Sequence, residues 1–93
     1  MLKRIVRMEF DAEKAENFLA LFEGVKEKIA AREGCTHLEL CRDATQDNVY
    51  YTLSHWEREE DLESYRNSIL FKETWARTKV LFGGKPQAFS LMN

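Results

Sequence analysis

Proline occurs once and glycine four times in the 93 residues. That leaves no stretch for a flexible linker or a low-complexity tail, and no solenoid-length repeat is visible. Cysteine is nearly absent as well. Cys35 and Cys41 are the whole complement, which excludes a disulfide scaffold and points to a reducing, cytoplasmic setting. Apolar runs extend only a few residues, so no segment reads as a membrane span. The opening Met-Leu-Lys-Arg passes straight into an alternating pattern and lacks the apolar core of a secretory leader. Neither sign of charge dominates: 14 Lys and Arg stand against 16 Asp and Glu, a net charge of −2. The basic footprint of a nucleic-acid binder is therefore missing. Histidine is scarce too, with His37 and His55 alone.

What remains is a globular composition, 44% hydrophobic, 32% charged and 12% aromatic. The length fits one domain over residues 1–93. A chain this short buries only roughly 60–65% of its unfolded surface, so a partner subunit would help it.

Residues 2–10 alternate: Leu2, Val6, Met8 and Phe10 share a face that Arg4 interrupts, and Lys3, Ile5, Arg7 and Glu9 share the other. Period-two patterning predicts a strand with one buried face. Asp11 is placed to cap a following helix. Ala15, Phe18, Leu19, Phe22, Val25 and Ile29 recur at spacings of three and four, the stripe of an amphipathic helix of about five turns. Gly34 is expected to end it as the left-handed C′ residue.

Residues 35–42 alternate again, with Thr36, Leu38 and Leu40 on one face and Cys35, His37, Glu39 and Cys41 on the other. A turn cluster, Asp43-Ala44-Thr45-Gln46-Asp47-Asn48, separates them from the β-prone run 49–56. The two runs read as an antiparallel hairpin. In the second run Val49, Tyr51, Leu53 and His55 oppose Tyr50, Thr52, Ser54 and Trp56. A second helix is predicted over 58–82, bent near Asn67-Ser68, with Phe71, Trp75, Thr78, Val80 and Phe82 along its later part. Gly83-Gly84 stops it, and Pro86 opens a last strand over 86–92. The order β-α-β-β-α-β predicts an α+β, ferredoxin-like fold, a four-stranded antiparallel sheet with two helices on one face. The uncovered face still carries Ile5, tyrosines and a cysteine, which predicts a homodimer formed through it.

The segment Gly34-Cys35-Thr36-His37-Leu38-Glu39-Leu40-Cys41-Arg42-Asp43 resembles the second strand of the antibiotic biosynthesis monooxygenase family. Those domains read Gly-Cys, then an alternating strand ending in Arg-Asp. A short turn, a strand ending in Trp and a helix opening with acidic residues follow. Here these are Val49 to Trp56 and then Glu57-Arg58-Glu59-Glu60-Asp61-Leu62. The resemblance implies a dimeric α/β barrel that oxidises aromatic quinols or anthrones with dioxygen, without flavin, haem or metal. The same fold hosts haem-degrading enzymes, and proteins with no demonstrated activity. A non-catalytic binding or stress-response protein and an isomerase-like enzyme are thus the alternatives. Many members carry a His where this chain has Tyr65, and a second where it has Leu70 or Phe71. At the iron-ligand position of the haem-degrading branch stands Trp75, and near its first-strand Asn stands Val6, so no cofactor is expected.

Cofactor-free oxygenation needs a base, a polar donor and aromatic walls around a dry pocket. Trp56, Tyr65, Phe71 and Trp75 are the candidate walls, with Tyr51 a further contact and Tyr65 also a candidate catalytic group. For each, a plain place in the core is the competing reading. His37 and His55 are the candidate bases, since only imidazole titrates near neutrality unperturbed. Glu39 is placed to orient His37. The competing reading is a pair of partly exposed sheet histidines. Arg7, Arg42, Arg66 and Arg77 are candidates to receive an anionic oxygen, with Arg77 placed among the substrate contacts. Cys35, His37, Glu39 and Cys41 cannot converge on one metal from a single strand. Alternate residues step roughly 6.5–7 Å, so Cys35 and Cys41 lie about 20 Å apart, whereas zinc needs bonds of about 2.0–2.3 Å.

Overall fold

The computed structural model describes all 93 residues. The elements in chain order are β1 (Leu2–Glu9), a 3-10 turn (Ala12–Lys14), α1 (Ala15–Ala30), β2 (Cys35–Arg42), β3 (Val49–Trp56), α2 (Glu59–Arg66), α3 (Ile69–Lys79) and β4 (Gln87–Met92). The strands form one sheet in the order β2-β3-β1-β4, with every neighbouring pair antiparallel. This is the ferredoxin-like α+β arrangement, with the second helix broken in two. The break falls at Asn67-Ser68, where the sequence places a bend. Ser68 takes extended backbone angles, and its Oγ accepts from the amide of Phe71 at 3.1 Å. A serine there ends one helix and caps the next.

α1 begins where Asp11 accepts from the amide of Glu13 at 3.2 Å and caps the 3-10 turn. Its apolar stripe, Phe18, Leu21, Phe22, Val25 and Ile29, is buried against the sheet side of the molecule. Side chains of this kind contribute ~1.5–3 kcal/mol each when fully buried. The helix does not end on Gly34. Ala31 is its C-cap with right-handed backbone angles, and Gly34 supplies φ +83° at the turn into β2. The carboxylate of Asp61 occupies the space a Cβ at Gly34 would need. Two independent reasons thus demand glycine there.

The pairing register sorts the sheet into two faces. Leu2, Arg4, Val6 and Met8 of β1 stand opposite Trp56, Ser54, Thr52 and Tyr50 of β3 on the helix side. On the open side Lys3, Ile5 and Arg7 stand opposite His55, Leu53 and Tyr51. Phe89 and Leu91 of β4 continue these open-face rows and are each 50% exposed. One strand departs from simple alternation. The β2–β3 register shifts between Cys35 and His37, a bulge that makes Thr36 the extra residue. Cys35 therefore packs with Leu2, Trp56 and Leu62, and does not join His37, Glu39 and Cys41 on the open face as strict alternation requires.

α3 is also shorter than its periodicity predicts. It stops at Lys79, and Val80, its C-cap, is largely exposed. Phe82 is not helical; it bridges to Phe10. The amide of Asp11 donates to the carbonyl of Leu81 at 3.0 Å. Backbone pairing with the end of β1 overrides the helical pattern. No helix is long and apolar enough to cross a membrane.

Candidate functional site

The two helical layers meet the sheet differently. At one end Leu62 of α2 packs with Leu2 and Trp56. At the other, Phe82, just past α3, packs on the cluster of Met8, Phe10 and Phe18. Between these anchors α2 and α3 stand off from β1 and β3, and a cavity of about 320 Å³ remains. That lies at the small end of the roughly 300–1,000 Å³ typical of ligand sites. Its floor is Arg4, Val6 and Met8 of β1 with Thr52 and Ser54 of β3. Tyr65, Phe71, Thr74 and Trp75 form the helical wall, and Pro86 to Ala88 one edge.

Aromatic rings run from the wall of this space into the core in an unbroken series. Trp56 stacks on Tyr65, with centroids 5.3 Å apart and planes at 20°. Tyr65 meets Phe71 edge-on at 5.2 Å. Phe71 lies parallel to Trp75 at 6.0 Å. Trp75 meets Phe82 at 5.5 Å, and Phe82 meets Phe10 at 5.4 Å. The series closes into the core where Phe10 stacks on Phe18 at 4.3 Å. Trp56 is fully buried, and its indole N–H donates to Ser54 Oγ at 2.9 Å. That bond fixes the ring and uses an acceptor site on Ser54, leaving the hydroxyl hydrogen free to donate.

The titration of Tyr65 is pushed up to about 12, chiefly by burial and also by Cys35 beside it, against an opposing pull from Arg32. The phenol thus stays protonated at neutral pH and offers a proton in a hydrogen bond rather than taking one. Arg4 is the floor's one cation. Its Nη1 donates to Ser90 Oγ at 2.8 Å. Burial lowers its pKa, as does the like charge of Arg66, while Glu63 acts the other way. A guanidinium remains charged throughout the working range. No His, Cys, Asp or Glu lines the cavity, so its donors are those of an anion or hydroxyl site rather than a metal site.

Five of the residues singled out from the sequence come together here: Trp56, Tyr65, Arg66, Phe71 and Trp75 all border the cavity. The others lie elsewhere. His37 and His55 are on the opposite, open face of the sheet, their rings 4.8 Å apart. A base for a ligand in this cavity therefore cannot be drawn from them within one chain. The geometry does satisfy the orientation expected of Glu39, whose Oε1 lies 2.9 Å from His37 Nε2. His37 and then Cys41, through their hydrogen bonds, hold the Glu39 carboxyl below its ordinary range. Even so, no group of three or more His, Cys, Asp or Glu is placed to hold a metal ion. Tyr51 is on the open face as well, donating to Asp43 Oδ1 at 3.3 Å. Arg77 is exposed on α3 and does not reach the cavity lining. Arg4 and Ser54 were not singled out from the sequence. The signal for Arg4 was its interruption of an otherwise apolar face.

The model of the antibiotic biosynthesis monooxygenase family matches residues 1–77, and the chain belongs to that family. Solved structures agree in fold. A conserved protein from Methanosarcina mazei Go1 superposes with a TM-score of 0.92 at 18% identity, covering 97% of this chain and 89% of that one. Rv0793 from Mycobacterium tuberculosis gives 0.91 at 16% identity, over 99% and 93%. A protein described as an antibiotic biosynthesis monooxygenase gives 0.93 at 16% identity, over 100% and 98%. At such identities these likenesses speak to fold alone. No curated protein matches the chain in sequence.

Proposed function

We propose that this protein is a monooxygenase that takes a small aromatic quinol- or anthrone-like molecule into the cavity and oxidises it with dioxygen. The observation that carries this reading is the aromatic wall of Tyr65, Phe71 and Trp75 facing a floor of Val6 and Met8 in which Arg4, Thr52 and Ser54 are the polar groups. Flat apolar walls favour a flat ring system. A quinol would give up its two O–H hydrogens, with dioxygen leaving as hydrogen peroxide; in an anthrone-like substrate the ring carbon para to the oxygen loses two hydrogens and becomes a carbonyl. One atom of dioxygen ends in that carbonyl, the other in water. The substrate supplies all the electrons, so the balance calls for no further reductant. Tyr65 and Ser54 would donate hydrogen bonds to oxygen as charge develops on it.

The active particle is a homodimer joined through the open sheet face. Ile5, Leu53 and Phe89 form an apolar row across three strands there, and such a row on an 11.0 kDa chain favours pairing.

Oxygen consumption by metal-stripped protein against quinols, naphthols and anthrones tests the reaction, with heat-killed protein as the blank. Saturable uptake with quinone formation is expected, retained in His37→Ala and reduced in Tyr65→Phe. Ligand binding without uptake across the panel would overturn the oxygenase reading in favour of a binding protein. Sedimentation at micromolar concentration should give twice the chain mass, and an 11.0 kDa particle would remove the dimer.

A further inference from the structure

Charge in the cavity is of one sign. Arg4 projects from the helix side of β1, between the apolar Leu2 and Val6. Its partners across the neighbouring strands are Ser54 and Ser90, both uncharged. It forms no ion pair, although Arg and Lys side chains make four with carboxylates elsewhere. Arg66 borders the same cavity from α2. Its side chain is 45% exposed and only loosely paired with Glu63, at 3.7 Å. Two guanidiniums therefore share an apolar space whose lining contains no carboxylate. Like charges in such a place repel, and each has lost part of its hydration. An anionic oxygen between them would relieve both costs. The planar guanidinium is also suited to binding a carboxylate or phenolate.

We propose that Arg4, with Arg66 at the mouth, is the anion-recognition element of the cavity, so that its ligands are aromatic oxyanions. The assignment rests on the aromatic reading given above and specifies the form in which the aromatic is held. It also supplies what the misplaced histidines leave missing. When a phenol binds, its O–H bond breaks, the proton leaves to water, and the electron pair stays on the oxygen facing Arg4. Ionisation is then driven by a fixed positive charge, and no imidazole has to accept the proton. The electron-rich anion is the form that reacts with dioxygen. Ser90, hydrogen-bonded to Arg4, acts as a positioning residue for the guanidinium.

Calorimetric titration with a matched pair tests this: 1-naphthoate and the neutral 1-naphthylmethanol, which share the ring system. Naphthoate should bind about tenfold or more tightly than the alcohol, in line with the strength of a charged hydrogen bond. Arg4→Met keeps the aliphatic stem and should bring the ratio close to one. Arg4→Lys should retain an intermediate preference and guards against a variant that fails to fold. Titration of 1-naphthol in two buffers of different ionisation enthalpy should show a proton released on binding to wild type and none with Arg4→Met. Equal affinity for acid and alcohol in the wild type would overturn the oxyanion proposal while leaving the aromatic cavity intact. A preference for the acid that survives in both Arg4 variants would overturn the role of Arg4. Binding of neither compound would overturn the aromatic reading, and the oxyanion proposal with it.

Discussion

α1 and the α2–α3 pair cover the same sheet by different means. α1 buries six residues, all apolar, along one stripe. α3, of eleven residues, buries only Thr78, and α2 buries Asp61 and Leu62. The polar bonds of the second layer lie within the helices themselves. Arg58 grips Asp61 with two nitrogens, at 3.0 and 3.3 Å. Ser68 caps α3, and Thr78 Oγ1 donates to the carbonyl of Thr74 at 2.7 Å. A helix with a full apolar stripe packs down along the sheet, and Phe18, Phe22 and Ile29 of that stripe also border the cavity. A pair of helices anchored at its ends by Leu62 and Phe82 can stand clear in the middle. The cavity lies where the two modes meet, with Phe18, Phe22 and Ile29 of α1 on one side and Tyr65, Phe71 and Trp75 on the other.

The largest test of this contrast is Phe18→Ala. Phe18 is 3% exposed and stacked on Phe10, and its loss should cost ~3–5 kcal/mol in urea unfolding. A cost below ~1 kcal/mol would mean that the α1 side is no better packed than the other. Ser68→Ala should cost about 1 kcal/mol through the lost cap, and Ser68→Gly only a few tenths. Equal losses would place the contribution in other contacts of the serine. Phe71→Ala, half-buried on the cavity wall, should cost about 1 kcal/mol or less in stability. It should still weaken naphthoate binding by roughly threefold to tenfold. A Phe18-like loss of stability would make Phe71 core rather than wall.

The smallest effect concerns acid. Hydrogen bonds from Arg58 hold the Asp61 carboxyl below its ordinary range. Its folded pKa is thus lower than the unfolded value of about 3.9. The stabilisation is complete above that value and is lost as pH falls through the folded pKa. Urea midpoints of wild type and Asp61→Asn should therefore converge as pH drops below about 4. A constant gap would show that the clamp does not depend on the charge of Asp61.

Much of this architecture is written in simple periods. Alternation in residues 2–10 and 49–56 gives the two central strands, because one buried face forces every second side chain to be apolar. The stripe from Ala15 to Ile29 gives α1, and a capping serine gives the break before α3. Features set by a single residue or by distant backbone are harder to read. The bulge at Thr36 shifts the register without changing composition. The last turn of the predicted helix is lost to a bridge between Phe10 and Phe82, far apart in sequence. The aromatic wall is legible in Trp56, Tyr65, Phe71 and Trp75. The histidines mislead because imidazole chemistry and strand parity point to opposite faces. His55 shares a face with Leu53 and Tyr51, opposite to Trp56, and that alone puts it on the far side of the sheet. Arg4 carries the reverse lesson, since a charge on the buried face marks a place where the core is not closed.

Both tryptophans of the chain, Trp56 and Trp75, border the cavity. The aromatic residues of the deep core at the other end of the ring series are phenylalanines and Tyr50. Ultraviolet emission from this protein is therefore emission from the cavity. Trp56, shut away from water, should emit in the blue, and the half-buried Trp75 further to the red. Tyr65, stacked on Trp56, lies close enough to pass its excitation to the indole. An aromatic guest that settles against Trp75 should quench the red component and leave the blue one standing, so the occupied and empty forms differ in colour.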